Sequence, residues 1–268
     1  MKRVLSIQDI SGFGKCSLTV ALPIISAMGI SLSVVPTAIL STHTGIKGYT
    51  YRDLTEDIIL FAKHYRSLGI EFNTIYTGFL AGPSQVDVVA NFFKMFKATI
   101  IIDPVMGDRG ILYNCFDKNI VTQFKKLLPY ADIVTPNITE ATFLLGESYK
   151  NQYDRDYIKE LLIKLTKLGP TKAIITGIEI NNKITVAIYD KKQCEFSFFD
   201  HNKVDGHYPG TGDVFCSALV GAITKGIDVH KSAKLAASFV HNSIKATVKD
   251  NANPNYGINF ESQLKELF

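Results

Sequence analysis

The sequence predicts an α/β fold, a doubly wound and mostly parallel sheet with helices on both faces, formed by residues 1–268 as a single domain. Short apolar runs rich in β-branched residues alternate with longer runs of helical period, which is βαβ order. Several of the short runs are apolar throughout, as strands covered on both faces must be. With 268 residues and 46% hydrophobic content, the chain can bury one large core, and no linker, repeat or low-complexity tract divides it.

Taken in order, residues 4–7, 32–35, 74–76, 99–102, 133–134 and 173–175 read as buried strands. Between them, 17–28, 53–67, 84–96, 118–128, 139–145 and 157–168 carry apolar residues at helical spacing. After residue 180 the pattern changes to a hairpin, 184–189 with 195–199, and then to two helices, 214–225 and 231–246. In such a sheet ligands bind beyond the carboxyl ends of the strands, so the residues that follow each strand are the candidates for chemistry.

Composition excludes several classes. The net charge of +4, from 29 basic and 25 acidic residues, is mild, and the lysines are scattered, which argues against nucleic-acid binding. The four cysteines, Cys16, Cys115, Cys194 and Cys216, show no C-x-x-C spacing and read as reduced thiols. The N-terminal apolar stretch is too short for a signal sequence, and no apolar run approaches the roughly 18 residues of a membrane span. The expectation is a cytoplasmic protein without membrane partners. His64, His230 and His241 lie in expected helices at no ligand spacing and read as surface or satisfied histidines.

The strongest chemical signal is Pro-Gly-Thr-Gly-Asp at 209–213, directly before an apolar helix. Gly210 and Gly212 let the backbone amides approach an anion, and the helix start turns unpaired N–H groups toward the same point. Asp213 beside a phosphate there supplies a base for phosphoryl transfer. Alone, the string is also a tight turn with Asp as helix N-cap. The first strand is followed by Gln8-Asp9-Ile10-Ser11-Gly12-Phe13-Gly14-Lys15-Cys16-Ser17. A Walker loop would need Gly at Asp9 and Ser or Thr at Cys16, and a dinucleotide fingerprint would need Gly at Ser17, so neither is present. Thr37 ends the second strand ahead of Ser41-Thr42-His43-Thr44-Gly45, a hydroxyl-rich cluster suited to a small polar ligand or to a solvated loop. The fourth and fifth strands end in Asp103-Pro104-Val105-Met106-Gly107-Asp108 and Thr135-Pro136-Asn137-Ile138-Thr139-Glu140. These oxygen ligands suit Mg²⁺ holding substrate phosphates, while each string alone also fits a capped turn. Cys216, one turn past Asp213, reads as buried.

These strings, with Tyr-Thr-Gly-Phe-Leu at 76–80, occur in an order that resembles the pyridoxal/pyridoxamine kinase family of the ribokinase superfamily over nearly the whole chain. The segment 11–23 is most similar to the bacterial members called pyridoxamine kinases. The resemblance implies a ribokinase-like fold, ATP-dependent phosphorylation of the 5′-hydroxymethyl group of a vitamin B6 vitamer, Mg²⁺, a monovalent cation such as K⁺, and a homodimer. It implies Asp213 as catalytic base and Gly210, Thr211 and Gly212 as the anion hole. It places Asp103, Asp108 and Glu140 around Mg²⁺, and Asp103, Thr135, Asn137, Glu140 and Thr176 on the nucleotide side. Asp9, Ser11, His43, Thr44 and Phe79 fall on the substrate side. Many pyridoxal kinases carry Ser where this chain has Asp9; a carboxylate there can accept from a substrate amine or simply cap the turn through the amides of Ser11 or Gly12. Hydroxymethylpyrimidine kinases resemble the chain in fold and in the Asp-Pro-Val-Met and Thr-Pro-Asn strings, but commonly place Cys at the position of Asp213. A low-turnover vitamin B6 binding protein and a nicotinamide oxidoreductase are the readings outside the kinases; the intact phosphate apparatus and the incomplete dinucleotide fingerprint count against them.

Overall fold

Neighbouring residues on the central strands point into different cores. Val4, Ile101, Ile133 and Ile174 join one apolar cluster, while Leu5, Ile100, Ile102, Val134 and Ile175 join the other. Both faces are therefore dry, which is why these runs show no polar alternation. The computed structural model describes residues 1–150 and 152–268. In chain order the elements are β1 (Arg3–Phe13), α1 (Leu18–Ala27), β2 (Ser31–Thr42), β3 (Tyr51–Asp53), α2 (Thr55–Ser67), β4 (Thr74–Thr77), α3 (Pro83–Phe93), β5 (Thr99–Ile102), β6 (Gly107–Asp108), β7 (Ile111–Leu112), α4 (Asn119–Leu127), β8 (Ile133–Val134), α5 (Ile138–Leu145), α6 (Arg155–Thr166), β9 (Lys172–Ile180), β10 (Lys183–Asp190), β11 (Glu195–Asn202), α7 (Thr211–Lys225) and α8 (Val229–Lys249).

The main sheet runs β11-β10-β9-β8-β5-β4-β1-β2-β3. The six strands from β9 to β2 are parallel, and antiparallel strands finish both edges. Helices α2 to α6 cover one face; α1, α7 and α8 cover the other. The doubly wound expectation holds, and the helices fall within a few residues of the expected bounds.

β1, β2 and β9 are each longer than their apolar runs. The pairing of β1 with β2 continues past a bulge, from Gln8 opposite Pro36 to Ile10 opposite Ile39. Pro36 has no N–H to give the ladder, and a bulge is one of the few places a strand tolerates it. Asp9 thus lies within β1 at the bulge, not in the loop expected after residue 7, and β2 runs on past Thr37, the residue expected to end it. The extension forms an arm whose tip exposes Phe13 and Ile39, so its sequence lacks the buried-strand signature. The short strands β3, β6 and β7 are also absent from the sequence reading; at two or three residues, no periodicity exists to detect.

Phe124 of α4 is fully buried in the larger core. Phe124→Ala should lower unfolding free energy by about 3–5 kcal/mol, measured by denaturant titration.

Candidate active site

Helix α7 opens on Gly210, whose backbone is left-handed with φ 81°. A Cβ at Gly210 would lie 2.0 Å from the Lys15 carbonyl oxygen, so only glycine lets the turn rest on the β1–α1 connection. Thr211 is half-buried and Gly212 exposed. No atom lies within 4 Å of where a Gly212 Cβ would be, so space is open beside this first turn. Asp213 follows, in the first turn of the helix.

Asp213 keeps a partly exposed edge, but the surrounding protein replaces water at longer range and pushes its pKa up to about 7. The Ser17 amide opposes that shift, and the charge of Asp9 adds to it. Asp103 is buried at the end of β5; desolvation, then the charges of Glu140 and Asp213, hold it well above the usual carboxylate range. The Cys216 thiol donates to Asp103 Oδ2 at 3.3 Å and contacts Thr135 Oγ1 at 3.1 Å. Cys216 is buried as expected, while its contact with Asp103, 113 positions away, has no local signature in the sequence.

Glu140 forms the capping box read at residues 135–140. Its Oε2 accepts from the Asn137 amide at 2.9 Å, and the Asn137 side chain accepts from the Glu140 amide at 3.0 Å. Its Oε1 accepts from the Met106 amide at 2.9 Å and the Gly107 amide at 3.4 Å. Asn137 Nδ2 donates to the Gly107 carbonyl at 2.8 Å, so α5 and the 103–108 turn are bound together. Burial pushes Glu140 up to about 8 despite these amides.

The three carboxylates expected around one cation are not gathered into a single ligand set. Among the described residues no three His, Cys, Asp or Glu side chains are placed to hold a metal. Asp108 accepts from the Arg109 amide at 2.8 Å in the β6–β7 hairpin, and Glu140 is turned toward amides. The donors still fit a hard divalent cation. Among the described residues no basic side chain forms an ion pair with Asp103, Glu140 or Asp213, and Mg²⁺ takes one or two carboxylates plus substrate oxygens.

On the other side of the turn, Asp9 is buried and accepts from Ser11 Oγ at 2.8 Å and Ser17 Oγ at 2.5 Å. Its partners are hydroxyls, not the turn amides of Ser11 or Gly12. His43 Nδ1 accepts from the Gly45 amide at 3.2 Å, which leaves its Nε2–H to donate to the Asn255 carbonyl at 2.9 Å. His43 also packs over Gly14, whose Cβ would lie 2.6 Å from its ring, and Thr44 is half-buried beside it. Phe79 is buried against Phe116, centroids 5.4 Å apart, and Thr37 Oγ1 donates to the Phe79 carbonyl. Thr176 is half-buried in β9 and bridges Asn137.

Sequence reasoning missed Ser17 as a neighbour of Asp213, Phe116 as the partner of Phe79, and the fate of Lys15. The Lys15 ammonium bonds Asn259 at 2.9 Å and Glu261 at 2.8 Å, so it is tied to the C-terminal segment. A cleft of about 370 Å³ lies between Gly12–Lys15 and residues 252–259. Another of about 280 Å³ is lined by Asp205, Tyr208, Thr247 and Asn251. Of the histidines read as surface or satisfied, His230 pairs its Nδ1 with Ser197 Oγ at 2.8 Å, but its Nε2 is buried without a hydrogen-bond partner.

A parallel sheet with carboxylates at its strand ends and a glycine turn opening a helix beside one of them defines a small-molecule phosphotransferase of ribokinase-like architecture. The chain belongs to the phosphomethylpyrimidine kinase family, whose model matches residues 22–257. It is 27% identical to pyridoxal kinase of Arabidopsis thaliana over 278 aligned positions, 95% of this chain and 85% of that one. It is 28% identical to hydroxymethylpyrimidine/phosphomethylpyrimidine kinase of Bacillus subtilis, covering 78% of this chain and 74% of that one. A candidate phosphomethylpyrimidine kinase of Bacteroides thetaiotaomicron, solved with pyridoxal, superposes with a TM-score of 0.96 at 35% identity, covering 99% of this chain and 95% of that one. No helix among the described residues is long and apolar enough to cross a membrane.

Because the folded-state pKa of Asp213 is raised, its ionisation opposes folding. Stability associated with the neutral carboxyl is complete below the ordinary value near 3.8 and is lost as pH rises through about 7. Asp213→Asn should therefore match the wild type at pH 4 and exceed it at pH 8 by about 1–3 kcal/mol. The partly exposed edge of the carboxyl and the loss of a negative charge at a helix start both reduce the gain. Melting curves of both proteins at the two pH values test this.

Proposed function

We propose that the protein transfers the γ-phosphoryl group of ATP to the 5′-hydroxymethyl group of a vitamin B6 vitamer. The observation that carries the reading is Asp213 in the first turn of α7, next to the open face of Gly212. A carboxylate poised near neutrality accepts the hydroxymethyl proton as the oxygen attacks phosphorus. The amides of Gly210, Thr211 and Gly212 face the charge that spreads over the transferred group. Asp103, with Glu140 and Asp108 nearby, is the oxygen donor for Mg²⁺, which when bound offsets the phosphate charge. Thr135, Asn137 and Thr176, joined through the 135–140 segment and β9, are the candidates for the nucleotide side. Phe79, with Phe116 behind it, walls a flat ring, and His43 and Thr44 border it.

Likeness to a structure solved with pyridoxal and to a pyridoxal kinase supports the vitamin B6 acceptor. A second reading, phosphorylation of hydroxymethylpyrimidine, is supported by the family model and the Bacillus subtilis relative. Asp213 in place of the cysteine common in those enzymes favours the first. A homodimer fits the exposed Phe13, Ile39 and Tyr51 along the β1–β3 arm, and four free cysteines fit a reducing cytoplasm. A monovalent cation such as K⁺ is a further requirement suggested by family likeness.

ATP-dependent phosphorylation of pyridoxal, pyridoxamine, pyridoxine and hydroxymethylpyrimidine, measured side by side, decides between the acceptors. Asp213→Asn should lower kcat at least ~10²-fold with little change in ATP affinity, and retention of more than about half of wild-type turnover refutes the base assignment. Exhaustive chelation should abolish turnover, and Asp103→Asn should raise the half-saturating Mg²⁺ concentration about tenfold or more in a metal titration.

A further inference from the structure

Ser17 stands where a serine would cap α1, yet its side chain makes no cap bond. Its backbone takes φ 52° and ψ −132°, a combination unfavourable for any residue with a Cβ. Its hydroxyl instead donates to Asp9 Oδ1 at 2.5 Å, while Ser11 occupies Oδ2 at 2.8 Å. Asp9 and Ser17 are 3% and 5% exposed, so the pair is dry. Two residues before Ser17, the Lys15 carbonyl is the surface against which Gly210 rests, so the 15–17 segment and the glycine turn share one boundary.

We propose that Asp9 is a positioning residue for the catalytic base: it holds the Ser17 hydroxyl, the hydroxyl fixes the strained Ser17 backbone, and that backbone holds the 15–17 segment against the Gly210 turn that carries Asp213. This rests on the kinase reading of Asp213. It assigns Asp9 a role different from contact with a substrate amine. Both carboxylate oxygens already have donors, and Asp9 is buried at the bulge between β1 and β2. A strained backbone persists only where its surroundings over-determine it, and a charge-assisted hydrogen bond in a dry site is strong enough to do so.

The test uses Asp9→Asn, Ser17→Ala, their double variant and Ser17→Gly, with kcat and KM for pyridoxal and pyridoxamine and a melting curve for each. Each of the first two should lower kcat at least about fivefold for both vitamers, with the ratio of their kcat/KM values unchanged within about twofold. The double variant should lose no more than the worse single one, because both break the same link. Ser17→Gly lacks the hydroxyl but adopts positive φ freely, so it should retain more turnover than Ser17→Ala. A vitamer ratio that moves about tenfold in Asp9→Asn while Ser17→Ala turns over normally would assign Asp9 to the substrate and overturn the proposal. Losses that multiply in the double variant, or equal losses in Ser17→Gly and Ser17→Ala, overturn it as well. Should Asp9→Asn fail to fold, the Ser17→Gly and Ser17→Ala comparison still decides. The melting cycle separates the two readings. A wild type inactive on every vitamer refutes the kinase assignment, whereas additive effects on melting refute the Asp9–Ser17 link.

Discussion

The Gly210 backbone rests against the Lys15 carbonyl, and the site exists because of that contact. It brings the start of α7 against the exit of β1, so one junction sets the distance between Asp213 and the Asp9–Ser17 pair. Any side chain at Gly210 would have to displace a backbone group, which cannot swing aside as a side-chain tip can. Gly212 uses the same small residue in the opposite sense: one glycine admits protein, the next borders open space.

Around this junction the protein concentrates Asp9, Asp103, Glu140 and Asp213, all with pKa values raised chiefly by burial. Such groups oppose folding when ionised, and the two apolar layers flanking the sheet offset them. Glu140 shows how the destabilisation is contained. Three amides surround its two oxygens, so it serves as a fastener between α5 and the 103–108 turn as well as a charge. Substrate phosphates entering among these carboxylates would add like charge. The helix start and a hard cation are the available sources of compensation.

The architecture is legible in the sequence because both-face burial leaves an unmistakable trace: runs such as Thr99–Ile102 have no polar alternation. Gly210, Asp213 and the Asn137–Glu140 capping box are legible for a related reason, since each depends on a local backbone shape that only certain residues permit. What escapes is whatever depends on distant partners. Nothing in the local pattern says that Ser17 turns from its helix to Asp9, that Lys15 is taken by Asn259 and Glu261, or that Phe116 backs Phe79. The arm of β1 and β2 beyond the bulge is hidden because its tip faces water and carries no buried-strand signature.

The His43–Asn255 and Lys15–Asn259 contacts join residues 212 and 244 positions apart. Chain-closure entropy delays contacts of such separation until the local βαβ units have formed. During synthesis the parallel sheet can assemble from the N-terminal side while the C-terminal segment is still inside the ribosome. The His43 loop therefore gains its clasp only after residue 255 has emerged. Vectorial synthesis thus orders the appearance of the two properties: the nascent chain becomes a folded body first and acquires its finished pocket last.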